Sequence, residues 1–135
     1  MLTFLDNNVL DYAFDASEPT KRARAVALLE DEALDIVLRA QVLNEFYWTA
    51  TRKLTPAVPA DVAQEVVREL ALGRVVPIDA SLTEVAIALS GRHRLTLWDA
   101  EIVVAAQRSG CRELLTEDLT NGQSFGSVTV RDPFA

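Results

Sequence analysis

Four acidic residues sit where the apolar pattern places the ends of structural elements. They are Asp6 in Leu5-Asp6-Asn7-Asn8, Glu45 in Leu43-Asn44-Glu45-Phe46, Asp99 in Leu97-Trp98-Asp99-Ala100 and Asp118 in Leu115-Thr116-Glu117-Asp118. A carboxylate withdrawn from water is costly unless its charge is offset. Several brought together need a cation, and hard oxygen ligands favour Mg²⁺ or Mn²⁺. A metal-dependent enzyme is the first expectation. Each acid also has a structural alternative. Asp6 could cap the following helix, Asp99 could stabilise the positive end of its own helix, and Asp118 could close a turn. Glu45 lies among Val42, Leu43, Phe46, Tyr47 and Trp48. It is expected to be half-buried and to need a partner, either a cation or an ion pair with Arg39 or Arg52.

Other chemistries find little support. With 1 His and 1 Cys the chain cannot build a zinc site without several carboxylates. A serine triad would have to use His93, and nothing resembles a nucleophile elbow. No phosphate-binding glycine loop is present. His93, between Arg92 and Arg94, reads as a surface residue, and Trp48 and Trp98 read as core or rim residues rather than base-stacking platforms.

The elements that must position the acids follow from periodicity and punctuation. Residues 2–5 read as a buried strand that ends at Asp6. Residues 9–14 read as a helix capped by Asn7 or Asn8. A second helix starts near Ser17-Glu18-Pro19, with proline in its first turn. Residues 35–38 form a strand, and 41–53 a helix that carries Glu45. A helix opens at Pro59 and stops at Gly73. Val75, Val76 and Ile78 make a strand. Ser81 and Glu84 fit a capping box for a helix running toward Arg92. Residues 97–109 form a helix closed by Gly110, and 113–116 and 127–131 are the last strands. Strands alternating with helices predict an α/β fold with a mainly parallel central sheet flanked by helices. Sites in such sheets form beyond the carboxyl ends of the strands. Asp6, Asp99 and Asp118 can therefore meet at one edge, and Glu45 can join them if its helix packs there.

The chain of 135 residues, half of them hydrophobic, suits one domain spanning 1–135. No stretch is long and apolar enough to span a bilayer, and the start lacks a secretion signal, so a cytoplasmic protein is expected. The lone Cys111 agrees with a reducing compartment. The net charge of −7 argues against nucleic-acid binding by bulk attraction. Acids that hold divalent metals weaken that argument. Positive residues also cluster, as Lys21/Arg22/Arg24, Arg52/Lys53 and Arg92/His93/Arg94, which could equally be solvated helix faces.

Phe4-Leu5-Asp6-Asn7-Asn8-Val9-Leu10 resembles the Asp-x-Asn-Val-Leu opening of PIN-domain ribonucleases. Leu43-Asn44-Glu45-Phe46 is similar to their second acidic motif. Trp98 to Val103, with Ala105-Ala106 and Gly110-Cys111, is similar to the third. Leu114 to Leu119, with Gly122-Gln123 and Asp132-Pro133-Phe134, is similar to the fourth motif and tail. The likeness runs through nearly the whole chain in order, and its single-domain format resembles VapC-type toxins. The resemblance implies an endoribonuclease with a Mg²⁺ or Mn²⁺ site built by Asp6, Glu45, Asp99 and Asp118, with Asn8 and Thr116 as supporting polar residues. It also implies a homodimer, an RNA substrate and a cognate antitoxin. Glu101 departs from the family pattern, where that position is often apolar or small; it could add a ligand or point away. A small-molecule phosphohydrolase using the same metals, or an inactive binding module, are the competing readings.

Overall fold

In the computed structural model, which describes residues 1–135, β1 (Leu2–Leu5) lies inside the sheet because both of its faces are apolar. Successive strand residues point to opposite faces, and each face of this sheet has its own core. Phe4, Val37 and Leu114 face one cluster, whose helical members come from α5 (Ala80–His93) and α6 (Leu97–Arg108). Leu5, Leu38 and Leu115 face the other, filled by α1 (Asn7–Tyr12), α2 (Pro19–Glu30) and α3 (Ala40–Arg52). The result is a three-layer α/β/α domain. The fourth helix, α4 (Ala60–Ala71), packs along α3.

The sheet order is β3-β2-β1-β4-β6-β5, with β2 at Asp35–Arg39, β3 at Arg74–Val76, β4 at Glu113–Leu115, β5 at Ser124–Phe125 and β6 at Val128–Arg131. All pairs are parallel except β5 with β6. The chain steps outward from β1 to β2 and β3, then crosses back to place β4 on the other side of β1. That reversal opens a crevice beyond the carboxyl ends of β1 and β4, the place where ligands bind in doubly wound sheets.

The expected fold class is the observed one, with local differences. α1 is capped by Asp6 rather than Asn7 or Asn8. α5 is capped by Asp79, whose carboxylate accepts the Leu82 N–H at 2.8 Å. Ser81 lies inside the first turn and accepts from Arg108 at 2.9 Å instead. β3 stops at Val76 because Pro77 has no N–H for the ladder. β5 has no counterpart in the sequence reading. Two residues are too few for an alternating pattern, and the hairpin is made possible by Gly126 at φ 61°. The expected Gly110 stop is present, at φ 75°.

Removing the Asp79 cap by Asp79→Ala should destabilise the domain by about 1 kcal/mol. Ser81→Ala should cost less than about 0.5 kcal/mol. Urea denaturation of the two variants measures this, and a larger loss for Ser81→Ala would reinstate serine as the cap.

Candidate active site

The site is built outward from Asp6. Its backbone N–H donates to Leu115 O at 3.0 Å, so it extends the β1–β4 ladder by one residue. There the chain turns into α1, and the carboxylate swings back to accept the Asn7 N–H at 2.8 Å. The side chain is only 2% exposed. Burial on this scale demands donors, and they arrive from both flanks.

On the β4 side the Thr116 hydroxyl donates to Asp6 Oδ2 at 2.8 Å. The same hydroxyl accepts the Asp118 N–H at 3.1 Å, which fixes the turn after β4. The Asn8 amide spans the gap, with Nδ2 3.4 Å from Asp6 Oδ2, 3.2 Å from Thr116 Oγ1 and 3.1 Å from Asp118 Oδ2. Through these hydrogen bonds Asn8 and Thr116 tie the buried Asp6 to the exposed Asp118. A strut holds this loop from behind. Tyr12 donates to Glu117 at 2.7 Å, Lys21 donates to Glu117 at 3.0 Å, and Phe134 packs edge-on against Tyr12.

On the β2 side stands Glu45, 41% exposed, in α3. Its Oε1 lies 3.5 Å from Arg39 Nη2, the ion pair weighed from the sequence; Arg39 itself is 5% exposed. Asn7 links Glu45 to the centre. With its Nδ2 turned toward the acids, it donates to Asp6 Oδ1 at 2.7 Å and to Glu45 Oε2 at 3.2 Å. The reverse orientation bonds Asp11 at 3.4 Å but sets the amide oxygen against two acceptors, so we assign the first. The Asn7 oxygen then faces Asp11.

Asp11, one helical turn beyond Asn7, is a member of this group that the motifs do not single out. Burial pushes its carboxyl up to about 7, and the charges of Glu45, Asp6 and Asp15 add to the rise. An Asp11 protonated near neutrality can donate to the Asn7 oxygen, which completes the amide's bonding. The only sequence signal was the Asn7–Asp11 spacing of four on one helix face. Asp6 is raised as well, chiefly by burial and further by Asp118, against the Thr116 and Asn7 hydrogen bonds and the Arg39 charge.

Asp99 reaches the same edge by topology. Thr96 caps α6 by accepting the Asp99 N–H at 3.1 Å, and α6 leads back to a strand parallel to β1, so its first turn lies at the carboxyl end of the sheet. The Asp99 side chain is half-buried and makes no hydrogen bond to Asp6, Glu45 or Asp118. Glu101 is 5% exposed, on a helix buried almost all round, and forms no ion pair. Trp48 and Trp98 are both exposed, at the rim.

No three His, Cys, Asp or Glu side chains converge closely enough to grip one ion; the acids are spaced by amide bridges. The donor set still fits a hard divalent cation. It consists of carboxylate, amide and hydroxyl oxygens, and Asn8 Oδ1 is buried without a partner.

The PIN-domain family profile matches residues 3–120. The chain belongs to the PIN-domain family. No protein of curated function matches it. Among solved structures it is similar to VapC20 of Mycobacterium tuberculosis, described as a sarcin–ricin-loop-cleaving toxin, at 21% identity over 83% of this chain and 86% of that one, with a TM-score of 0.67. A toxin–antitoxin complex from Klebsiella pneumoniae matches at 20% identity over 97% of both chains, TM-score 0.69. VapBC2 of Rickettsia felis, bound to a DNA fragment from its promoter, matches at 14% identity over 97% of this chain and 98% of that one, TM-score 0.62. At these identities the likeness speaks for the PIN fold.

The raised Asp11 carboxyl makes the metal-free PIN domain sensitive to pH. Its folded value near 7 lies above the ordinary 3.8, so the native state holds the proton longer. Stability then falls as pH rises from about 4 through 7, by on the order of a few kcal/mol. In chelator, Asp11→Asn should lose less stability than wild type between pH 5 and pH 8. Urea denaturation at the two pH values measures this, and an equal loss of unfolding free energy in wild type and Asp11→Asn would refute the assignment.

Proposed function

We propose that this PIN domain is a divalent-metal-dependent endoribonuclease and the toxin of a VapBC-type toxin–antitoxin pair. The observation that carries the reading is the position of Asp6. A 2% exposed carboxylate sits at the crevice where the sheet order reverses, amide-bridged to Glu45 on one side and Asp118 on the other. The family membership and the toxins among its structural relatives support the biological role. No helix is long and apolar enough to cross a membrane.

Asp6, Glu45, Asp99 and Asp118 would hold Mg²⁺ or Mn²⁺, which supplies a Lewis acid to activate water and offset the charge on the leaving oxygen. The chain's own groups do the positioning. Thr116 and Asn8 keep Asp6 and Asp118 in register, while Asn7 orients Glu45. Arg39 lies behind Glu45 and steadies it without neutralising the other three acids. Lysines and arginines at the rim would meet the phosphate backbone. The surplus of negative charge is also a target for the arginine of an antitoxin, which pairs with carboxylates in a two-pronged geometry. A homodimer accompanies this reading.

Asp6→Asn and Asp99→Asn should each abolish cleavage of a mixed RNA pool and leave the fold intact. Asparagine retains the oxygen that caps α1, and it is as good a cap as aspartate. The metal-free variants should melt no lower than wild type and gain less from Mg²⁺. Full activity in either variant would remove that residue from the site.

The products test the mechanism. Attack by an activated water leaves a 5′-phosphate and a 3′-hydroxyl, chelator stops the reaction, and Mg²⁺ or Mn²⁺ restores it. The 2′-hydroxyl route needs a general base and acid, for which 1 His equips the chain poorly. Fragments ending in 2′,3′-cyclic phosphate, formed in chelator, would overturn the reading. Expression of the chain alone should arrest growth, and co-expression of its antitoxin should reverse the arrest.

A further inference from the structure

Trp48 is the feature that the acid site does not absorb. It stands one turn beyond Glu45 on α3 and is 48% exposed, whereas Phe4, Phe46 and Phe125 are buried in the cores. It forms a ridge between two open concavities. One, of about 500 Å³, is lined by Asn7, Asn44, Glu45 and Thr49 together with Trp48. The other, of about 370 Å³, runs between α3 and α4 past Tyr47, Arg52 and Val67. The indole therefore borders the acid site directly.

Two cations lie against the ring. Arg52 is 5.4 Å and Lys53 Nζ 4.7 Å from its centroid. Neither forms an ion pair, although the chain carries a net charge of −7. Their place at the carboxyl end of α3 suits the helix dipole. The dipole explains positive charge there, but not an exposed indole between that charge and Glu45. An exposed aromatic ring beside cations that form no ion pair is the pattern that holds single-stranded nucleic acid, the ring stacking a base while the cations meet phosphates.

We infer that Trp48, Arg52 and Lys53 form a nucleotide subsite beside the acids, in which one base of a single-stranded RNA takes the place of a cation over the indole and the neighbouring phosphates pair with Arg52 and Lys53. The inference deepens the ribonuclease reading and rests on it. Trp48 acts by positioning the strand rather than in the bond-breaking step.

Trp98→Phe leaves Trp48 as the sole tryptophan, so its fluorescence reports on this ridge alone. In the Asp6→Asn, Trp98→Phe protein with Mg²⁺, a single-stranded RNA 12-mer should quench that fluorescence. In the active protein Trp48→Ala should raise KM about tenfold, with kcat changed by less than about twofold, and Trp48→Phe should restore most of the loss. Arg52→Gln with Lys53→Gln should flatten the salt dependence of RNA binding by about 1.4 in log–log slope. Unchanged KM in Trp48→Ala, or no quenching by RNA, would overturn the subsite while leaving cleavage, and thus the ribonuclease reading, standing. An unchanged KM with loss of antitoxin binding or of self-association would instead assign the ridge to a protein interface. Absence of cleavage by wild type would overturn the ribonuclease reading, and the quenching titration would still decide the subsite.

Discussion

A carboxylate excluded from water must find donors, and much of this molecule's local structure can be traced to Asp6 finding them. β1 delivers the residue to the end of the ladder, α1 begins there so that its first free N–H can be used, and β4 brings Thr116 within 2.8 Å. The two cores on either side of the sheet hold these three elements in fixed relation. Loss of either core would separate donors from acceptor and leave a buried charge unsatisfied.

The donors chosen are informative. Asn7 and Asn8 hydrogen-bond to Asp6, Glu45 and Asp118 but carry no charge. They orient the acids without cancelling their field. Arg39 is the only cation paired with a site acid, and its 3.5 Å contact is to Glu45 alone. The site therefore retains most of its negative potential, and the carboxyl pKa values of Asp6 and Asp11 are raised, chiefly by burial and further by the neighbouring acids. A divalent cation would relieve that strain, and an arginine from a partner protein could do so in its place.

The strand-and-helix alternation was readable because parallel strands buried on both faces are short apolar runs, and Leu2–Leu5 and Asp35–Arg39 are of this kind. Asp6, Asp99 and Asp118 were readable because they lie at or beside the ends of elements, and Glu45, inside α3, because it is a charge among apolar neighbours. Asn7 and Asp11 were not, since an asparagine at a helix start and an aspartate one turn later look like ordinary surface chemistry. Their role depends on Glu45 arriving from another element, and no local pattern records that. The exposure of Trp48 and Trp98 was equally hidden, because an indole suits a core or a rim by type alone. Asp79 and Ser81, two residues apart, are both capping types, and the capping-box spacing of Ser81 and Glu84 competes with the Asp79 carboxylate that caps α5.

Thr116 and Asp6 are separated by 110 positions. Synthesis runs from the amino end, so Asp6, Glu45 and Asp99 leave the ribosome before the strand that completes their surroundings. Parallel pairing of β4 with β1 must wait for that strand and closes a long loop, the slow kind of contact to form. Until then Asp6 has no partner across the crevice and Asp118 has no anchor. The acids of the crevice thus come together only after β4, near the end of the sequence, has been made.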